Sequence, residues 1–213
     1  MSTRILIADH QILFRQGIRL LLEQQSGIEV LGEAGNGREA VKLAKQLRPD
    51  VVLTDVPLPV LNGIEATRQI RKHLQATHVI ALATQAESRF VGQMLRAGAS
   101  GYVVKDTPFV ELLQAIEVVA RGGTFLSPIV TDLVIAHYVR GENESVRSEY
   151  ESLTPREREV MQLLSEGHQP RQLARQLKVS VKTVDTHRHH IMRKLKFRGM
   201  ADLTRYALRE GIS

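Results

Sequence analysis

The chain has 213 residues, 43% of them hydrophobic, which is enough for one large or two small domains with real cores; it has no cysteine, so disulfides and thiolate metal sites are excluded. No apolar stretch reaches the roughly 18 residues that a membrane span requires. The net charge of +6 is uneven: residues 1–126 hold 14 Lys/Arg against 12 Asp/Glu, residues 127–150 hold 2 against 4, and residues 151–213 hold 13 against 7, which places the excess cations in the last third, where an anionic partner such as nucleic acid would meet them.

The N-terminus, MSTRILIADH, lacks a signal-peptide pattern, and a cytoplasmic location is expected. From there to about residue 121, short β-branched apolar runs alternate with amphipathic stretches. The runs are RILIA (4–8), IEVLGEA (28–34), VVLT (51–54), HVIALA (78–83) and GYVV (101–104). Between them, stretches such as LFRQGIRLLLEQ and GREAVKLAKQL carry apolar residues at helical spacing. Five strands alternating with five helices predict a doubly wound five-stranded parallel sheet. Ligands bind such sheets at the carboxyl ends of the strands, so Asp9, His10, Asp55, Ala83, Thr84 and Lys105 are expected along one edge. Two carboxylates and a lysine there suit a hard cation and a phosphoryl group together; a structural Asp–Lys ion pair uses the same residues.

Residues 139–152 turn polar and acidic and read as a linker; the pattern after it is helical throughout. Thr154, Pro155 and Glu157 form a helix start, with Val160, Leu163 and Leu164 as its apolar stripe and Gly167 at its end. A short helix with Leu173, Ala174 and Leu177 facing inward follows, and "KVS" turns the chain into a third helix, which is the helix-turn-helix arrangement. At about 100° per residue, Val184, Arg188, Ile191 and Leu195 share one side of that helix and Lys182, Thr186, His189 and Arg193 the other. Residues 171–198 hold 9 Lys/Arg against one acid, Asp185, a balance that favours phosphate contacts. His187, His189 and His190 diverge around a helix and are not expected to share a metal.

Two families are resembled. ILIADHQILFRQG, PDVVLTDVPLPVLNGIEAT and LRAGASGYVVKD look like the receiver domain of NarL/FixJ-type response regulators over residues 1–122. LTPREREV, VSVKTVDTH, IMRKL and ADLTRYALREGI resemble the LuxR-type helix-turn-helix effector over residues 153–213, with 123–152 connecting the two; Pro170 and Gln172 depart mildly from its pattern. The first resemblance implies that Asp55 is the phosphoacceptor, Lys105 the lysine that pairs with the phosphoryl group, Asp9 (with Asp55) a Mg²⁺-site acid, position 83 and Tyr102 the switch residues, and a sensor histidine kinase the phosphoryl source. The second implies a double-stranded DNA partner, bound as a homodimer, with contacts from Lys182, Thr183, Asp185, Thr186, His189, Arg193 and Lys194.

Two departures weaken the receiver. The resembled family has a second acid where His10 stands, and Ser or Thr where Ala83 stands. A hydrogen bond to a charged group is worth about 1.5–3 kcal/mol, one to two decades in a switching equilibrium, and imidazole replaces carboxylate poorly on Mg²⁺. His10 has three readings: a solvated side chain, an imidazolium that partly replaces the metal's charge, or a transition-metal ligand. The expected function is a DNA-binding transcriptional regulator, not an enzyme, whose phosphorylation at Asp55 is weak or dispensable. A phosphorylation-independent regulator, a protein-interaction adaptor and an aspartyl-phosphate hydrolase are the alternatives; salt-dependent retention on duplex DNA and turnover of a phosphoryl substrate distinguish them.

Overall fold

Strands buried on both faces need no polar alternation, and β3 (Val51–Asp55) shows this: all five of its residues are buried. The computed structural model describes residues 2–139, 149–210 and 212, in two units, Met1–Glu142 and Asn143–Ser213. Most of the expected linker, residues 140–148, lies outside the described residues.

In the first unit the chain runs β1 (Thr3–Ala8), α1 (Ile12–Glu23), β2 (Ile28–Ala34), α2 (Gly37–Leu47), β3, α3 (Gly63–His73), β4 (His78–Ala83), α4 (Ser88–Ala97), β5 (Gly101–Val104), α5 (Phe109–Ala120), β6 (Phe125–Leu126) and α6 (Pro128–Val139). All pairings are parallel, in the order β2-β1-β3-β4-β5-β6. The sheet alternates faces as a period of two requires. Ile5, Ile7, Leu53, Ile80, Leu82 and Val103 pack with Leu22 of α1 and with Leu112, Ile116 and Val119 of α5. Leu6, Val52 and Val79 face Val41, Ala66 and Ile70 of α2 and α3, while Ala81, Ala83, Tyr102 and Val104 face Val91 and Met94 of α4 and Val130 of α6. Asn36 and Asn62 cap α2 and α3 by accepting from the N–H of Glu39 and Glu65.

The sheet has a sixth strand that sequence reading did not anticipate. β6 is only two residues long, too short for a periodic signal, and is added by Phe125 N–H to Ser100 O (3.1 Å) and Ser127 N–H to Tyr102 O (3.0 Å). Ser127 is fully buried, and its hydroxyl donates to Glu111 of α5 at 2.5 Å.

The second unit comprises a 3₁₀ turn (Glu149–Ser152) and helices α7 (Pro155–Ser165), α8 (Pro170–Leu177), α9 (Val181–Lys194) and α10 (Met200–Arg209). Thr154 and Glu157 close a reciprocal capping box at the start of α7. Lys178, with φ 53°, and the N-cap Ser180 make the short turn between α8 and α9. Val160, Leu163, Leu173, Leu177, Val184, Ile191 and Leu203 are buried at the helix contacts, and Tyr206 accepts the Tyr150 N–H through its hydroxyl at 3.0 Å.

Candidate functional sites on the acidic strand edge and the basic helix

Asp9 follows β1, Asp55 ends β3 and Lys105 follows β5, so strand topology alone delivers all three to the same rim. Lys105 Nζ lies 2.7 Å from Asp9 Oδ2 and 3.0 Å from Asp55 Oδ1. One ammonium thus pairs with both buried carboxylates. Nζ also stands 4.6 Å from the ring centroid of Phe14, an α1 residue that sequence reasoning left in the helix. Asp9 Oδ1 accepts the Gln11 N–H at 2.8 Å.

The remaining oxygen, Asp55 Oδ2, lies 2.7 Å from His10 Nδ1. Both carboxylates are buried, whereas the His10 side chain is 40% exposed and forms the outer wall. Burial pushes the Asp55 carboxyl above its ordinary range and the charge of Asp9 adds to this; Lys105 and His10 oppose it. Ligand atoms of Asp9, His10 and Asp55 all lie within 4.8 Å of one another, an arrangement able to hold a metal ion.

Ala83 and Tyr102 do not join this polar group. Both are buried in the apolar cluster behind it with Val56 and Ile64. The Ala83 carbonyl accepts the Lys105 N–H at 2.7 Å, so position 83 touches the site through its backbone. The Tyr102 hydroxyl approaches Gln85 O at 3.5 Å, and burial raises its pKa. Thr84 is exposed. Gly63 is required by close approach: a Cβ there would overlap the carbonyl oxygen of Asp55.

In the second unit, α9 has two distinct sides. Val184, Ile191 and Leu195 are buried; Lys182, Thr186, His189 and Arg193 are exposed. Thr183, Asp185, His187 and Arg188 are half-buried at the margins. Thr183 and Ser180 share a hydroxyl contact of 2.8 Å at the helix start, and Thr186 donates to Lys182 O at 2.9 Å. His189 Nδ1 lies 2.9 Å from Asp185 O; a carbonyl only accepts, so Nδ1 donates the proton in this contact.

Lys194 differs from its neighbours. Its ammonium lies 2.7 Å from Glu157 Oε2 and also reaches Ser152 O at 3.4 Å, which ties the end of α9 to α7. Burial works against ionisation of Glu157, yet Lys194 and the Thr154 cap hold its carboxyl below the usual range. Sequence reasoning did not identify Glu157 as an anchor beyond its capping role.

Comparison with known proteins matches these two units to two families. Residues 5–117 match the response regulator receiver domain, and residues 151–207 match the bacterial regulatory proteins of the luxR family. The chain is similar to the transcriptional regulatory protein YxjL of Bacillus subtilis (37% identity, covering 98% of this chain and 96% of the relative) and to the response regulator UvrY of Escherichia coli (33%, covering 98% and 94%). Among solved structures it is similar to a LuxR-family two-component response regulator from Aurantimonas (36% identity, TM-score 0.63, covering 65% of this chain and 99% of that one). It is also similar to the RcsB response regulator of Salmonella typhimurium, solved in a study of conformational dynamism for DNA interaction (25% identity, TM-score 0.60, covering 96% and 97%).

Proposed function

The chain belongs to the response regulators that join a receiver domain to a LuxR-type helix-turn-helix domain, and from that premise we propose how its own residues divide the work. Its function as a DNA-binding transcriptional regulator follows from the family. The proposed division is a receiver over residues 1–122, a connection over 123–152 and a DNA-binding domain over 153–213.

In the receiver, Asp55 accepts a phosphoryl group from a sensor histidine kinase, and Lys105 stands beside the acceptor carboxylate to offset the added negative charge. Asp9 and Asp55, with His10, fit a cation, since ligand atoms of the three lie within 4.8 Å of one another; bound Mg²⁺ would supply charge neutralisation there. With His10 in place of a third carboxylate, that Mg²⁺ is held weakly. Ala83 has no hydroxyl to follow the phosphoryl group, so modification is coupled only weakly to Tyr102 and to the output.

In the output domain, α9 enters the major groove of duplex DNA. Lys182 and Arg193 contact phosphates, while Thr186 and His189 face base edges, with Thr183 and Asp185 at the border. Two copies bind together, each reading one half-site. The observation that carries the reading is the one-sided exposure of α9: Lys182, Thr186, His189 and Arg193 lie free of their own core while Val184 and Ile191 are sealed in it.

Selection of bound sequences from random duplexes, with the native protein and with Asp55→Ala, tests both halves. A shared enriched motif supports the α9 reading, and its absence overturns it. Equal enrichment by the two proteins after treatment with a phosphodonor shows that Asp55 has lost control of output.

A further inference from the structure

The acidic rim contains an imidazole nitrogen among its oxygens, and that nitrogen changes which cation the site prefers. We propose that Asp9, His10 and Asp55 form a mixed carboxylate–imidazole site that selects divalent transition metals of the Zn²⁺ and Ni²⁺ kind over Mg²⁺. The proposal deepens the reading of this rim as the receiver's cation site and rests on it.

Geometry is the first support. Nδ1 of His10 and Oδ2 of Asp55 are 2.7 Å apart, sharing a proton. Two ligand atoms at about 2.1 Å from one metal, at right angles, are about 3.0 Å apart. A metal can therefore take the proton's place if the pair opens by a few tenths of an ångström. The three residues offer atoms within 4.8 Å of one another, against about 4.2 Å for opposite ligands on such a shell, so the closure required is small. His10, at 40% exposure, leaves the outer side open to water, which can complete the coordination and provides the way in.

Charge and donor type decide the selectivity. With a neutral imidazole, two carboxylates and the Lys105 ammonium leave a net charge of only −1. Mg²⁺ depends on oxygen donors and charge, and is held poorly by such a set. Zn²⁺ and Ni²⁺ gain from the nitrogen donor and rank above the alkaline-earth ions for N/O sites. Lys105 opposes every dication equally, so the imidazole is what separates one metal from another.

The test measures binding to the full chain by equilibrium dialysis against Ni²⁺, Zn²⁺ and Mg²⁺, with the native protein, His10→Gln and His10→Asp. The expected result is one equivalent of Ni²⁺ or Zn²⁺ in the native protein that disappears in His10→Gln. In His10→Asp, Ni²⁺ affinity should fall and Mg²⁺ affinity rise, each by about tenfold or more. Metal bound by the histidines of α9 persists in every variant and cancels in the difference. Equal Ni²⁺ and Zn²⁺ binding by native protein and His10→Gln overturns the proposal. If His10→Asp then still gains Mg²⁺, only the selectivity is wrong; if no variant binds Mg²⁺ or a His10-dependent metal, the rim is not a cation site and the receiver reading of it fails as well.

Discussion

His10 Nδ1 is 2.7 Å from Asp55 Oδ2, while Lys105 faces Oδ1 of the same carboxylate at 3.0 Å. Both oxygens of the proposed acceptor are therefore engaged before any phosphoryl donor arrives, and one contact must be broken to free a nucleophile. A hydrogen bond to a charged group is worth about 1.5–3 kcal/mol. His10→Ala, assayed with Mg²⁺ and a small phosphodonor by intact mass, should gain phosphoryl at Asp55 about tenfold faster than the native protein. An unchanged or slower rate would show that His10 does not guard the acceptor.

A hydroxyl at the end of β4 should strengthen the proposed coupling between Asp55 and the output. Ala83 is buried beside Val56 and Ile64, and its backbone already meets Lys105. Serine adds one oxygen with little extra volume, so the receiver should still fold. In Ala83→Ser, the gain in DNA affinity on phosphorylation should increase by one to two decades, matching a charge-assisted bond of about 1.5–3 kcal/mol. The same substitution combined with Asp55→Ala should show no gain, as read by titration of labelled operator DNA.

The reach of sequence reasoning follows from what each feature depends on. Strands β1, β3, β4 and β5 were legible because sheet strands covered on both faces read as apolar runs; β2, at the sheet edge with Glu29 and Glu33, was legible from Ile28, Val30 and Leu31, and the rim residues followed because strand ends converge on one edge. The two sides of α9 were legible because helical angle depends only on residue number. The strand Phe125–Leu126 was not, since two residues carry no period. A place for His10 beside the rim carboxylates was one of three readings, and the sequence could not choose among them because His10 and Asp55 are 45 residues apart and meet only through side-chain geometry. Lys194 illustrates the same limit: the charge pattern sends it outward, while its four-carbon stem lets the ammonium turn back to Glu157 on α7.

That difference separates Arg193 from Lys194, although they are adjacent. Arg193 is exposed, and its removal should weaken DNA binding evenly across sequences and lower the salt slope by about 1. Lys194→Ala instead leaves the buried Glu157 carboxylate facing only the more distant His190 imidazole, 3.7 Å from its other oxygen, and should cost about 1–3 kcal/mol of stability. Thermal unfolding of the full-length variants, alongside salt titrations of DNA binding, checks both. A pure binding defect in Lys194→Ala would return that residue to the interface.

Glu157 also predicts an acid sensitivity. Its folded carboxyl is held below the ordinary value, so its contribution is fully present above the unfolded pKa, near 4.5, and is lost as pH falls through the lower folded value. Asp55, pushed upward by burial, has the opposite sign and favours the folded state at low pH. The difference in melting temperature between native protein and Glu157→Gln isolates the first effect. It should shrink as pH falls below about 4.5; a difference that stays constant to lower pH would mean that the ionised carboxylate contributes nothing.

The loop after Asp55 stores strain that substitution can release or worsen. Val60 sits at φ 70°, a left-handed conformation that costs a side chain about 1–2 kcal/mol and a β-branched one more. Glycine removes that cost but adds freedom to the unfolded chain, worth about 0.5–1 kcal/mol. Val60→Gly should therefore stabilise the first unit by roughly 1 kcal/mol, allowing for the extra cost of a branched side chain in that region. Three residues later the sign reverses. In Gly63→Ala the added methyl meets the carbonyl oxygen of Asp55, and either β3 or the start of α3 must shift; this overpacking should cost about 1–3 kcal/mol. Because the shift falls on the backbone of Asp55, Gly63→Ala should also alter the His10–Asp55 contact, which the His10 imidazole resonances report. A variant as stable as the native protein, with those resonances unmoved, would show that the end of β3 yields freely.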